Sequence, residues 1–197
     1  MAKEFEELQE TKAIVKSGTT AIHICGDDYG RIDDFVERLA LELRFFTKEQ
    51  AQVFGAVEPQ YVEKVRVVEW NYGYGQVDFK TKSKIGSLAG KEEMDISQFL
   101  ETYKDREYAD KTIILIRNAR QVMEGEMNRK NLAQLQQTIV HLKKFSPGRA
   151  VLIYCDERRF IPDETAQKLF LHPILLRQTV LFSTVFNNFP AFFLKIN

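Results

Sequence analysis

The chain has 197 residues, 44% of them hydrophobic and 28% charged, the composition of one globular domain with enough bulk to bury a core. Its 28 Lys plus Arg balance 28 Asp plus Glu, which excludes a molecule drawn bodily to nucleic acid or anionic membrane and leaves only local patches for such contacts. Two cysteines exclude a disulfide scaffold, and with no signal-peptide pattern and no apolar run of ~18–20 residues the expectation is a cytoplasmic chain without a membrane span.

In chain order, Met1–Ser17 reads as a helix with Phe5, Leu8, Ile14 and Val15 on a loosely apolar face, broken by Gly18-Thr19-Thr20. Ala21–Cys25 (AIHIC) is a buried strand, followed by a turn at Gly26-Asp27-Asp28-Tyr29-Gly30 and a helix over Ile32–Phe46. Phe35, Leu39, Leu43 and Phe46 make one stripe of that helix. No clear period marks 47–61. Val62–Trp70 alternates as a strand does, and Gln76–Gly90 reads as an exposed, Lys-rich loop. Asp95 or Ser97 is placed to cap a short helix through Tyr103. The apolar runs Thr112–Ile116 and Ala150–Tyr154 flank an amphipathic segment near Asn128–Phe145 that ends at Ser146-Pro147-Gly148. Two such runs around a helix-length crossover predict a βαβ unit with parallel strands. A further helix is expected after Pro162, where Asp163 and Glu164 suit the positive end of the dipole. Leu181–Asn197 holds five phenylalanines and almost no charge. It reads either as a final strand with an apolar packing segment or as an aberrant or truncated end that exposes apolar surface and invites self-association.

Strand, glycine turn and helix is the setting of a phosphate-binding loop, which needs Gly-Lys-Ser/Thr at the helix start. Gly26, Asp27 and Gly30 occupy that position, but Arg31-Ile32-Asp33-Asp34 follows, and Asp27, Asp28, Asp33 and Asp34 repel phosphate. A solvated turn is the favoured reading. After the strand at 112, where a nucleotidase places magnesium-binding carboxylates, stand Arg117-Asn118-Ala119-Arg120, read as a strand end with solvated arginines. Asp156-Glu157-Arg158-Arg159 reads as a solvated loop. His23, His141 and His172 have no metal-site spacing, and no nucleophile–base pair is visible, so neither catalytic nor metal-binding residues are assigned. Trp70, Tyr72 and Tyr74 beside Lys80, Lys82 and Lys84 offer a stacking and neutralising surface for single-stranded nucleic acid, against the plainer reading that they pack locally.

These residues resemble the amino-terminal portion of AAA+ ATPases of the hypothetical-chloroplast-reading-frame type, a degenerate region lacking the phosphate loop that precedes an active AAA+ module. The similarity is carried by AIHI at 21–24 with its acidic turn, WNYGYGQVDF at 70–79, IILIRNARQVM at 113–123 and AVLIYCDERRFIPDE at 150–164. HPILLRQ at 172–178 resembles the junction toward the active module, and the similarity spans roughly Thr11 to Gln178. It implies a three-layer, P-loop-ATPase-like (AAA+/RecA-like) α/β domain over 1–180 with a mostly parallel sheet, and 181–197 as a separate terminal segment. It also implies that the strands ending in Cys25 and Cys155 are neighbours, with the two cysteines at matching carboxyl ends and more readily inert than a redox pair. The active module's residues are not found after Arg177, so no family catalytic residue transfers. The leading expectation is therefore a catalytically inert assembly or regulatory module, with a protein partner or AAA+ module and no cofactor. Two others stand beside it: a weak ATPase using ATP and magnesium through an unconventional loop at Gly26–Gly30, and a single-stranded nucleic-acid adaptor at 70–84.

Overall fold

The computed structural model describes residues 2–26, 28–43, 65–85, 93–104, 106–108, 110–156 and 172–175. Asp27, the unassigned stretch 47–61, Phe46, Glu157–Arg159, the helix expected after Pro162 and the terminal segment 181–197 lie outside the described residues.

The apolar runs become strands buried on both faces. β1 is Ala21–Cys25, β4 is Lys111–Arg117 and β5 is Ala150–Asp156, and no residue of β1 or β5 is exposed. β2 is Val65–Asn71, β3 is Gly75–Val77 and β6 is His172–Leu175. The six form one sheet in the order β3-β2-β4-β5-β1-β6, all neighbours parallel except the β2–β3 hairpin. The α/β class, the parallel sheet and the βαβ unit are as the sequence implies.

The helices are α1 (Ala2–Lys16), α2 (Tyr29–Leu43), α3 (Ile96–Lys104), a single turn α4 (Arg120–Met123) and α5 (Arg129–Phe145). The stripe Ile32, Phe35, Val36, Leu39, Ala40 and Leu43 of α2 packs with Leu8 and Val15 of α1 on Ile22, Ile24, Ile113, Leu115, Val151 and Ile153. On the other face Phe99 and Leu100 of α3 and Leu135, Ile139 and Leu142 of α5 cover Val68, Trp70, Ile114, Ile116, Leu152 and Tyr154. Asp95 is the cap of α3, its Oδ1 accepting the Gln98 N–H at 2.8 Å. At the end of α5 the chain turns through Gly148, whose φ of +71° a residue with a side chain rarely adopts, and enters β5.

Three expectations are corrected. Helix α2 begins at Tyr29, not Ile32, because Asp28 caps it: its Oδ1 accepts the Arg31 N–H at 3.0 Å. The stretch 76–90 is not loop throughout, since Gln76 and Val77 belong to β3 and both Val77 and Phe79 are buried. The cysteines are one residue out of register: the β1–β5 ladder pairs Cys25 with Asp156 and Ile24 with Cys155. The strands are neighbours as implied. In a strand successive side chains alternate faces, so the two thiols lie on opposite sides of the sheet.

Candidate functional site

In an open parallel sheet, ligands gather beyond the carboxyl ends of the strands. Here β1, β2, β4 and β5 end together, at Cys25, Asn71, Arg117 and Asp156.

Arg117 dominates this edge. It was expected to be solvated, yet its side chain is 2% exposed. The alternation of β4 turns Arg117 to the same face as Ile113 and Leu115, under α2, and a guanidinium there requires carboxylate partners. It has two. Asp33 of α2 pairs with Nη2, and Glu69 of β2, itself 2% exposed, lies with Oε1 3.0 Å from Nε. That Nε contact has the distance of an ion pair without the alignment of a hydrogen bond. Lys82 closes the group from the solvent side, its Nζ 2.7 Å from Glu69 Oε2 and 2.9 Å from Asp33 Oδ1. Two cations thus face two carboxylates.

Lys82 is delivered by a built turn. Asp78 Oδ1 accepts the Thr81 N–H at 2.8 Å, the Lys80 N–H at 3.1 Å and the Thr81 hydroxyl at 2.9 Å. The Thr81 bonds in particular hold the Asp78 carboxyl below its ordinary pKa. Lys82 itself has φ +55°, and its Nζ stands 4.2 Å from the centre of the buried Phe79 ring. Beside the cluster, Tyr29 donates its hydroxyl to Asn118 Oδ1, and Asn118 takes a left-handed φ of +53°.

Cys155 borders the cluster in register with Arg117. Burial pushes its thiol up from 9.0 to about 12, the nearby Arg117 pulling the other way. Cys25, on the opposite face, has its Sγ 3.7 Å from His23 Nε2.

The positions named for a phosphate loop are placed as follows. Only residues 26–28 join β1 to α2, and the Gly26 N–H is taken by the Asp156 carbonyl at 3.0 Å. Gly30 lies inside the first turn of α2, without a positive φ, and a Cβ there would stand at ordinary contact distance, 3.6 Å from Asp28 Oδ1. The Asp28 carboxylate accepts an amide at the start of α2, where an anion would otherwise bind. Asp156, expected in a solvated loop, is 5% exposed and accepts the Arg120 N–H at 3.1 Å. Among the described residues no group of three His, Cys, Asp or Glu could hold a metal ion, and no helix is long and apolar enough to cross a membrane.

The aromatic surface at 70–84 is reduced. Trp70 is 3% exposed and donates Nε1–H to the Met94 carbonyl at 2.9 Å, so it offers no stacking face. Tyr72 and Tyr74 remain exposed at the hairpin tip. Lys82 is engaged in the cluster, and Lys84 pairs with Glu93. An open groove of about 660 Å³ runs beside the hairpin, lined by Tyr72, Gly73, Met94, Val122 and Lys130 among others.

No protein-family model and no curated protein matches the sequence. Among solved structures, a chain of Drosophila ORC bound to AT-rich DNA and Cdc6 aligns at TM-score 0.42 and 9% identity, over 88% of this chain and 53% of that one. The present chain therefore spans about half that chain's length. A chain of Drosophila ORC bound to DNA aligns at TM-score 0.42 and 10% identity, over 88% of this chain and 89% of that one. At this similarity neither alignment carries an inference about activity.

Proposed function

We propose that the chain is a catalytically inert, AAA+-like module that keeps a P-loop-ATPase-like sheet and serves assembly or regulation. The observation that carries this reading is Arg117. At the carboxyl end of the central strand β4, where nucleotide hydrolysis needs carboxylate oxygens for magnesium, the chain places a guanidinium and neutralises it with Asp33 and Glu69. The three-residue link between β1 and α2 and the self-capping Asp28 support the same reading, since a phosphate cradle needs free amides at a helix start. Strand order supports the fold: β1 sits between β5 and β6 inside the parallel sheet, the neighbour relation that the AAA+ resemblance implies for the strands at 21 and 150.

The partner in this proposal is a protein, an AAA+ module in the first instance. Titration of the purified chain with ATP, with and without magnesium, tests the inert half of the proposal. The expected result is no magnesium-dependent binding and no phosphate release. A magnesium-dependent dissociation constant in the low micromolar range overturns it and favours a working loop at Gly26–Gly30.

A further inference from the structure

The ion cluster is asymmetric in a way its neutrality hides. Arg117 and Glu69 are each 2% exposed and fixed on adjacent strands, whereas Asp33 is 29% and Lys82 41% exposed. The partly open members are therefore one carboxylate and one ammonium at the mouth, over a buried guanidinium. Both cations converge on a single atom, Asp33 Oδ1. The two cations reach it independently of α2: Arg117 is set by the β4 backbone, and Lys82 by the Asp78 turn and the Phe79 ring. Asp33 is thus held as a bound anion would be, by a guanidinium and an ammonium meeting at one oxygen.

We propose that Arg117 and Lys82 form an oxyanion-binding pair that the chain keeps occupied with its own Asp33, an autoinhibitory contact, so that an external carboxylate or phosphate binds here only by displacing that side chain. The charge arithmetic supports it. With Asp33 in place two cations face two carboxylates; without it they face Glu69 alone, and the cluster carries one net positive charge in a partly buried setting. There an opposite charge is attracted several-fold more strongly than in bulk water. Glu69 cannot be the displaced group, because it is buried between the two cations while Asp33 faces solvent.

The test uses the full chain and its Asp33→Ala variant, which opens space at a helix position that alanine suits. Inorganic phosphate and, separately, acetate are titrated by calorimetry at ionic strength held constant with sodium chloride. Asp33→Ala is expected to bind at least one of the two about tenfold more tightly than the unaltered chain, and adding Lys82→Met is expected to abolish the gain. The anion that shows the gain distinguishes a phosphate ligand from a carboxylate ligand. Equal affinity in the variant and the unaltered chain overturns the proposal, and so does a gain that survives Lys82→Met. Should Asp33→Ala not fold, Asp33→Ser, which keeps a small polar group facing solvent, decides by the same comparison. Neither nucleotide nor magnesium enters the assay, so its outcome is separate from that of the ATP titration.

Discussion

Replacing Arg117 by methionine is expected to destabilise the chain by about 3 kcal/mol, the lower end of the ~3–5 kcal/mol seen when one partner of a buried ion pair is removed. Methionine fills most of the space of the arginine stem, so the loss is mainly electrostatic. Glu69, 2% exposed, is left with Lys82 at 2.7 Å as its remaining cation, and Lys82 must also serve Asp33 at 2.9 Å. Because Lys82 is 41% exposed, solvent screens its attraction, which is why it softens the loss without cancelling it. For a chain of this length, 3 kcal/mol corresponds to a midpoint about 6–12 °C lower. Pairing Arg117→Met with Glu69→Met removes both buried charges and leaves Lys82 and Asp33 as a partly exposed pair. That double variant is expected within about 1 kcal/mol of the unaltered chain, a coupling of ~2 kcal/mol or more. Urea unfolding followed by far-ultraviolet circular dichroism measures all four corners of the cycle. The reasoning fails if Arg117→Met alone costs less than ~1 kcal/mol, or if the two losses simply add.

Two further expectations rest on separate features. Burial raises the Cys155 thiol from 9.0 to about 12, so the folded chain holds this proton over a pH range where the unfolded chain has released it. Its contribution is complete below pH 9 and declines as pH rises from 9 toward 12, by up to ~1.4 kcal/mol per unit, and Cys155→Ala should flatten that decline in stability measured at pH 8, 9.5 and 10.5. At the hairpin, Gly75 has φ +66° and an added Cβ would stand 3.0 Å from the Met94 carbonyl oxygen, whereas Gly73, at φ +92°, has nothing within 4 Å. Gly75→Ala is therefore expected to lower stability by more than Gly73→Ala, whose cost is the left-handed backbone alone at ~1–2 kcal/mol; equal losses in the same urea assay would count against the close contact.

What the sequence shows of this molecule follows the range of the interactions involved. Apolar runs at 112 and 150, the stripe of α2 and the cap at Asp95 are local signals, and strands, helix and cap stand where those signals put them. β3 was missed because three residues, only two of them in the presumed loop, give no period to read. The burial of Arg117 was missed for a different reason. Nothing beside it in the sequence distinguishes it from Arg120, which is 32% exposed. Its partner Asp33 is 84 residues away, and only the fold brings them together. The one-residue register error at the cysteines is of the same kind, since strand ends read from composition locate a ladder to about a residue while alternation makes that residue decide the face. The sequence thus displays Arg117 and Asp33 separately and hides that they meet.

Trp70 gives this fold a reporter for one of its halves. It is the single tryptophan, and it lies under α3 and α5, while its neighbour Glu69 points through to the side of α1 and α2. Indole emission therefore follows the environment of the α3–α5 layer, whereas backbone dichroism averages over both. Coincident transitions of the two signals in denaturant would identify a single cooperative unit spanning the sheet. If emission changes first, the α3–α5 layer is a foldon that can loosen while the ion cluster on the far side stays closed.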